Sequence, residues 1–180
     1  ALQTLTQAGG KLDQELHRKF AEYAEQQGKK FVVMYGAAEA TARMGYLPAE
    51  ESLRKCGSMG KAIPDGRFEL VDAGGRLLTE PGKIGELVYY GANVSMGYAL
   101  SGEDLCKGDE RLGRLATGDL ARVDENGIYT IVGRKKRFLK IFGKRTNLQE
   151  VEHILRQKFG ITELACAGRD DKLYVFLAEK

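Results

Sequence analysis

Asp119 and Arg134 are the residues whose types and surroundings most directly suggest chemistry. Asp119 closes the sequence Thr117-Gly118-Asp119, which predicts a tight turn, and Arg134 follows Gly133 at the end of an alternating apolar stretch. A carboxylate accepts two hydroxyl hydrogen bonds at once, and a guanidinium donates to the same oxygens or to a nearby phosphate. The pair is therefore suited to hold a polyol such as a ribose.

A βαβ unit is predicted at the start of the chain. Residues 1–8 read as a strand, a helix begins after Asp13 and ends at Gly28, and residues 31–34 form a short apolar strand. Strands joined in this way lie parallel, and ligands bind at their carboxyl ends. The predicted fold class is therefore α/β, with a candidate site where these two strands end.

Two loops at that edge carry residues suited to a nucleotide. They read Gly9-Gly10-Lys11 and Tyr35-Gly36-Ala37-Ala38-Glu39. Glycines let backbone amides approach a flat ligand, Tyr35 can stack on a base, and Glu39 can hold Mg²⁺ through an oxygen. The alternative is that both Gly-rich loops are ordinary turns.

The predicted helix should bury one stripe of side chains at helical spacing, made of Leu16, Phe20, Tyr23 and Ala24. Both histidines, His17 and His153, are expected on exposed helix faces. Neither stands at a metal-ligand spacing to a cysteine, which argues against a zinc site.

The remainder of the chain predicts two further groups of elements. Strands at residues 68–72 and 85–90 indicate a β-rich part. A helix capped by Asn147, followed by paired strands at residues 163–168 and 173–177, indicates the start of a small α+β domain.

Composition bounds the class of protein. The net charge of +3 does not demand a nucleic-acid partner, and no apolar run reaches membrane-spanning length. Three scattered cysteines, Cys56, Cys106 and Cys166, predict reduced, buried thiols in a cytoplasmic protein rather than a disulfide framework. The chain begins with Ala and a strand-like segment, so we expect it to be a piece of a longer protein.

A basic run leaves two interpretations open. Residues 134–145 contain seven Lys or Arg and no acid, and Phe138 and Phe142 could stack on bases, so the run could follow a nucleic-acid backbone. The same phenylalanines, with Leu139 and Ile141 between them, have the spacing of a packed hairpin. Contact with the phosphates of an anionic cofactor is the favoured use.

In order along the chain, the segments AGGKL, YGAAEA, GELVYYGANVSMGY, TGD and GRKKRFLKIFGKR resemble the motifs of the adenylate-forming enzyme superfamily, which includes acyl-CoA synthetases, peptide-synthetase adenylation domains and luciferases. The resemblance covers nearly the whole chain. It implies the end of a large AMP-binding domain in residues 1–132, with a βαβ unit and a barrel-like subdomain. A hinge at 133–136 and an incomplete small mobile domain at 137–180 would follow.

The resemblance also implies a role for each candidate residue. Gly9, Gly10 and Lys11 match the adenine-side loop, and Tyr35, Gly36, Ala37 and Ala38 match the nucleotide signature, with Glu39 as a catalytic residue and the Mg²⁺ ligand. Asp119 and Arg134 match the ribose-binding pair, and Lys136 matches the hinge and is expected to be catalytic. Ala38 departs from the family pattern, because the threonine hydroxyl directed at the α-phosphate is missing. The GELVYYGANVSMGY segment is expected to be scaffolding.

The activity that the resemblance implies is an AMP-forming ligase. Such an enzyme activates a carboxylic acid with ATP and Mg²⁺ and transfers the acyl group to the thiol of coenzyme A or of the phosphopantetheine on a carrier protein. The family's phosphate-binding loop and C-terminal lysine are not found in this sequence, so this chain alone is expected to be inactive. A non-catalytic adenylate-binding or regulatory protein is the alternative, and a nucleic-acid module is less favoured.

Overall fold

A computed structural model describes residues 2–41, 43–161, 163–169 and 171–178. The chain divides into two compact units. Unit 1 comprises Ala1–Thr117 and Ala121–Val132, and unit 2 comprises Gly118–Leu120 and Gly133–Lys180. The two units are described separately below.

The βαβ unit opens unit 1, as predicted. Strand β1 (Thr4–Gln7), helix α1 (Gln14–Gln26) and strand β2 (Lys30–Tyr35) follow in order, and β1 and β2 pair in parallel. Asp13 caps α1, because its carboxylate accepts hydrogen bonds from the backbone N–H groups of Glu15 and Leu16 at 2.9 and 3.1 Å. Two short antiparallel strands, β3 (Gly45–Leu47) and β4 (Lys61–Ala62), extend the sheet in the order β1-β2-β3-β4.

The buried face of α1 differs from the predicted stripe. The helix buries His17, Ala21 and Ala24. The predicted Leu16, Phe20 and Tyr23 are 42–48% exposed. Small side chains on the inner face let the helix lie close to Phe31 of β2, which is itself buried, and this close approach turns the larger side chains toward solvent.

His17 is therefore buried, and the prediction that it lies on an exposed face was wrong. Its Nδ1 accepts a hydrogen bond from the backbone N–H of Gly57 at 3.0 Å, and its Nε2 lies 3.1 Å from the Ser52 hydroxyl. Because Nδ1 accepts, the ring proton sits on Nε2 and is donated to Ser52. His17 thus ties α1 to residues 52–57, whereas His153 is exposed as expected.

A second sheet contains strands β5 (Arg67–Val71), β6 (Gly85–Tyr90), β7 (Arg114–Val123) and β8 (Tyr129–Arg134), in that order. Most of the largest hydrophobic core lies on these strands and includes the fully buried Leu87 and Tyr89. Thr117-Gly118-Asp119 lies within β7 and does not form the predicted turn. Gly118 has a positive φ of 71°, which interrupts the extended backbone locally. Glycine adopts this conformation without a steric cost, so the strand continues on both sides.

Unit 2 contains the hairpin of β9 (Phe138–Ile141) and β10 (Lys144–Asn147), helix α2 (Leu148–Phe159), and the hairpin of β11 (Leu164–Arg169) and β12 (Lys172–Leu177). Asn147 caps α2, as predicted, by accepting a hydrogen bond from the backbone N–H of Gln149 at 3.0 Å. A small core forms from Leu139, Leu148, Leu164 and Cys166.

The expectation that Phe142 packs in the hairpin was wrong. Phe142 is 87% exposed, because it occupies the left-handed turn between β9 and β10.

The expectation that the cysteines are buried is confirmed for Cys166 and wrong for the other two. Cys56 is half-buried and Cys106 is exposed. Thiol burial therefore follows the position of each strand and loop rather than the residue type.

Glu152 of α2 forms an ion pair with Arg137, which precedes β9, and a hydrogen bond with the backbone of β11. Glu152, only 8% exposed, receives a hydrogen bond from the guanidinium of Arg137 at 2.5 Å and another from the backbone N–H of Cys166 at 2.7 Å. Two donors offset much of the cost of burying a carboxylate.

Among the residues that the structure describes, none of the helices has the length and apolar composition that a membrane span requires.

Gly60 and Gly127 provide a matched test of packing in unit 1. Both have a positive φ, +89° and +74°. A Cβ at Gly60 would overlap the backbone of Tyr46, whereas a Cβ at Gly127 would meet nothing within 4 Å. We expect Gly127→Ala to cost about 1–2 kcal/mol from the left-handed backbone alone. Gly60→Ala should cost about 2–5 kcal/mol, because packed backbone must also move.

Urea unfolding of the full-length protein measures both costs. Equal destabilisation by the two substitutions would show that the close approach of residue 60 to β3 does not exist.

Candidate functional site

The loops after β1 and β2 begin at the same edge of the first sheet, because the two strands are parallel. In the first loop, a Cβ at Gly9 or Gly10 would meet nothing within 4 Å, so a ligand can approach the backbone there. Gln7 steadies this loop by donating its amide N–H to the Gly10 carbonyl at 2.8 Å. The ammonium of Lys11 donates to the carbonyl of Ile131 at 3.3 Å.

The second loop follows Tyr35, the last residue of β2. Tyr35 is half-buried, with its ring 6.1 Å from the ring of Phe68 in an edge-on arrangement. Gly36 and Ala38 are exposed, and Ala37 is half-buried. A single 3-10 turn, Ala38–Ala40, then places Glu39 on a rigid segment. The structure thus brings both predicted loops of unit 1 to one edge.

Asn93 holds the second loop in place. Its amide donates to the carbonyls of Ala40 and Arg43 at 2.7 and 3.0 Å, and its oxygen accepts from the hydroxyl of Tyr89 at 2.8 Å. Thr41, which has a positive φ of 48°, donates its hydroxyl to the carbonyl of Asn93 at 3.0 Å. Backbone groups that the short turn leaves without helical partners are therefore satisfied from a distant segment.

Glu39 is the best-connected candidate residue of this edge. The hydroxyl of Tyr98 donates to Oε1 of Glu39, and this bond raises the pKa of the Tyr98 phenol, since losing the proton would place two negative charges together. The carbonyl of Glu39 accepts from the backbone N–H of Ser95 at 2.8 Å. Both groups of Glu39 are thus held by residues 95–98.

Asp119 and Arg134 meet in unit 2. Nε of Arg134 lies 2.7 Å from Oδ1 of Asp119, whose side chain is 6% exposed against 60% for the arginine. The exposed guanidinium therefore offers hydrogen-bond donors, and the buried carboxylate beside it offers acceptors. Lys136 lies in the next 3-10 turn, Lys135–Arg137, and is exposed.

Three residues of this arrangement were not among the predicted site residues. Asn93 and Tyr98 lie in the segment interpreted as scaffolding, and Arg111 stood outside every motif. The side chain of Tyr98 contacts Glu39, so the segment does more than turn the chain. The GELVYYGANVSMGY match was the available signal for Asn93 and Tyr98. Arg111, which contacts Ser95 and Tyr98, had no signal of this kind, because its contacts join separate loops.

A comparison with known families identifies the class. The family model described as AMP-binding enzyme matches residues 1–99, which is 99 of the 180 residues. The chain belongs to the AMP-binding enzyme family. The resemblance expected from the sequence motifs is confirmed.

Relatives of the chain in this family are much longer than the chain itself. The indoleacetate–CoA ligase of Aromatoleum aromaticum is 30% identical over 164 residues, covering 90% of this chain and 30% of that protein. A long-chain-fatty-acid–CoA ligase of Salmonella typhimurium is 31% identical, covering 78% of this chain and 25% of that protein. The chain therefore spans less than a third of the length of these ligases.

Solved structures support the same α/β fold. The o-succinylbenzoate coenzyme A synthetase of Bacillus subtilis, in complex with ATP and a magnesium ion, has a TM-score of 0.75 and 25% identity, covering 99% of this chain and 37% of that protein. The predicted fold class is confirmed.

Asn93 offers a test of how the second loop of this AMP-binding enzyme is held. Removing its amide with Asn93→Ala deletes two hydrogen bonds to the loop, each worth about 0.5–1.5 kcal/mol. Trypsin cleavage after Arg43 should then become about tenfold faster, because proteolysis follows the population of the opened loop.

The full-length protein is digested under native conditions and the Arg43 cleavage rate is followed by mass spectrometry. Asn126→Ala is the control, since Asn126 is exposed at a different turn. An unchanged rate in Asn93→Ala would mean that the loop is held by other contacts.

Proposed function

We propose that the full-length protein is an AMP-forming ligase. It joins a carboxylic acid to ATP, releasing pyrophosphate, and then transfers the acyl group to the thiol of coenzyme A or of a carrier-protein phosphopantetheine. Family membership supports this proposal, as do the names of the relatives, which are ligases of carboxylic acids with coenzyme A. The acid itself is not specified by the residues of this chain.

The observation that carries the proposal is the pairing of Asp119 with Arg134. A ribose offers two neighbouring hydroxyls as donors, and a carboxylate accepts both. The guanidinium beside it can donate to a ribose oxygen. This geometry was proposed from residue types alone, and its 2.7 Å contact supports a ribose site.

Within unit 1, the edge of the first sheet carries groups suited to a base and to a metal-bound phosphate. Open space over Gly9 and Gly10 admits a flat base. Glu39 supplies a hard oxygen ligand of the kind that Mg²⁺ prefers. When bound, the ion would neutralise phosphate charge, and Glu39 would hold it. Tyr35 and the backbone of Gly36, Ala37 and Ala38 would line the base and α-phosphate side.

The chemistry then follows in two substitutions. An oxygen of the substrate carboxylate attacks the α-phosphorus, the bond from that phosphorus to the bridging oxygen breaks, and pyrophosphate leaves with the electron pair. Next, the thiolate attacks the acyl carbon and AMP leaves.

An adenylate-binding protein without ligase activity is the second candidate, favoured by Ala38. Its methyl group cannot donate the hydrogen bond that a threonine at this position would direct at the α-phosphate. Release of pyrophosphate in the presence of ATP and a carboxylic acid separates the two candidates, because only the ligase produces it.

We expect Asp119→Asn to weaken AMP binding by about 10–100-fold in the full-length protein. A hydrogen bond to a charged group contributes about 1.5–3 kcal/mol, and about 1.4 kcal/mol corresponds to tenfold. Isothermal titration with AMP measures the change. Asp65→Asn, at an exposed aspartate, is the control.

A second ligand locates the effect on the ribose. 2′-Deoxy-AMP should bind more weakly than AMP to the unaltered protein, and this difference should shrink in Asp119→Asn, because the amide oxygen that remains is neutral and accepts a weaker hydrogen bond. If Asp119→Asn binds AMP normally, the ribose lies elsewhere and the carrying observation fails.

We further propose that residues 133–136 act as a hinge between the two half-reactions, with Lys136 at its centre. Lys136→Pro fixes φ near −65° and removes the backbone donor, so thioester formation should fall at least about tenfold while ATP–pyrophosphate exchange continues. Lys136→Ala, which removes the charge but retains backbone freedom, is the control. Equal rates of both half-reactions in Lys136→Pro and Lys136→Ala would argue against a hinge here.

A further inference from the structure

Glu39 and three other residues form a closed ring of contacts, here called the Glu39 ring. Tyr98 donates its hydroxyl to the Glu39 carboxylate, and Ser95 donates its backbone N–H to the Glu39 carbonyl at 2.8 Å. Arg111 closes the ring, since its Nη1 donates to the Ser95 hydroxyl at 2.6 Å and its guanidinium lies 4.4 Å from the centre of the Tyr98 ring.

The backbone at Arg111 is itself held by hydrogen bonds. Asp109 accepts hydrogen bonds from the backbone N–H groups of Arg111 and Leu112, both at 2.9 Å. The neighbouring Glu110 donates its N–H to the Met96 carbonyl at 2.8 Å, which joins residues 109–112 to residues 95–98. The backbone that carries Arg111 is therefore tied to the segment that carries Tyr98.

Tyr98 is held by specific contacts although its side chain is exposed. Its side chain is 64% exposed, and an exposed tyrosine gains little from burial of its ring. Two contacts hold it instead: the hydrogen bond to Glu39 and the guanidinium of Arg111 over the ring. The first orients the hydroxyl toward the carboxylate, and the second holds the ring.

We propose that Tyr98, held by Arg111, is a positioning residue that orients the Glu39 carboxylate for a divalent cation bound with the nucleotide. The inference rests on the proposed function, in which Glu39 holds Mg²⁺. A carboxylate on a short turn rotates about its side-chain bonds, and ordering it beforehand removes that entropy cost from cation binding. Tyr98 does not touch the cation in this role; it acts through Glu39.

The test uses Mn²⁺ as the probe, with ATP, on the full-length protein. Bound Mn²⁺ is counted by electron paramagnetic resonance, so the readout does not depend on turnover. Tyr98→Phe retains the ring and its contact with Arg111 but removes the hydroxyl. We expect about a 3–10-fold weaker Mn²⁺ affinity in the ATP complex, less than the loss of a direct contact would cause, because the hydroxyl acts on the cation only through Glu39. ATP affinity without metal should stay unchanged.

Tyr90→Phe is the matched control. Tyr90 also lies under an arginine, with Arg67 at 4.2 Å from its ring centre, and its hydroxyl lies 3.4 Å from Nε of Arg114. This substitution should leave Mn²⁺ affinity unchanged. A general loosening of the structure would instead lower metal-free ATP affinity and thermal stability in Tyr98→Phe.

A double substitution separates positioning from a merely structural role. In a Glu39→Gln background the Tyr98→Phe substitution should cause no further loss, because the group that it orients has changed. Weakened binding in Glu39→Gln together with normal binding in Tyr98→Phe overturns this inference alone. Normal Mn²⁺ binding in Glu39→Gln overturns both the inference and the assignment of Glu39 in the proposed function.

Discussion

The need of backbone groups for hydrogen-bond partners is the constraint on which this site depends. The loop after β2 contains a single 3-10 turn, whose own N–H groups reach only the carbonyls of Ala37 and Ala38. Asn93 supplies donors to the carbonyls of Ala40 and Arg43 further along the loop. Because that donor comes from the segment after β6, the position of the loop depends on residues outside the strand that precedes it. The candidate Mg²⁺ ligand, Glu39, therefore takes its place from residues more than 50 positions away along the chain.

Local patterns predicted the elements of this fold better than their faces. The βαβ unit, the Asp13 cap and the terminal hairpin were predictable, because each depends on residues close together in sequence. The buried face of α1 was not, since a stripe of large apolar residues competed with one containing His17 and two alanines. Only the shape of the surface around Phe31 decides between them, and that shape comes from a different strand.

The candidate site divides in the same way. Asp119 and Arg134 could be named from motif order, and their contact follows from neighbouring strands β7 and β8. The expected turn at Asp119 was wrong because glycine permits a positive φ inside a strand as well as in a loop. Tyr98 and Arg111 could not be assigned to Glu39 from one sequence. Their contacts cross between separate loops, and no spacing rule connects such loops.

His17 gives α1 a property that its sequence pattern does not suggest. Burial lowers the pKa of this imidazole below its ordinary value of 6.5, assisted by the positive charge of Arg18 and opposed by the bond to Ser52. As acid is added, the unfolded chain therefore takes up this proton before the folded chain does, so the stabilising contribution is intact above pH 6.5 and declines below it. Protonated Nδ1 could no longer accept the Gly57 N–H. The attachment of α1 to residues 52–57 is thus linked to protonation of His17. Mild acid weakens the hold on the helix that connects β1 and β2, the two strands whose ends carry the candidate loops.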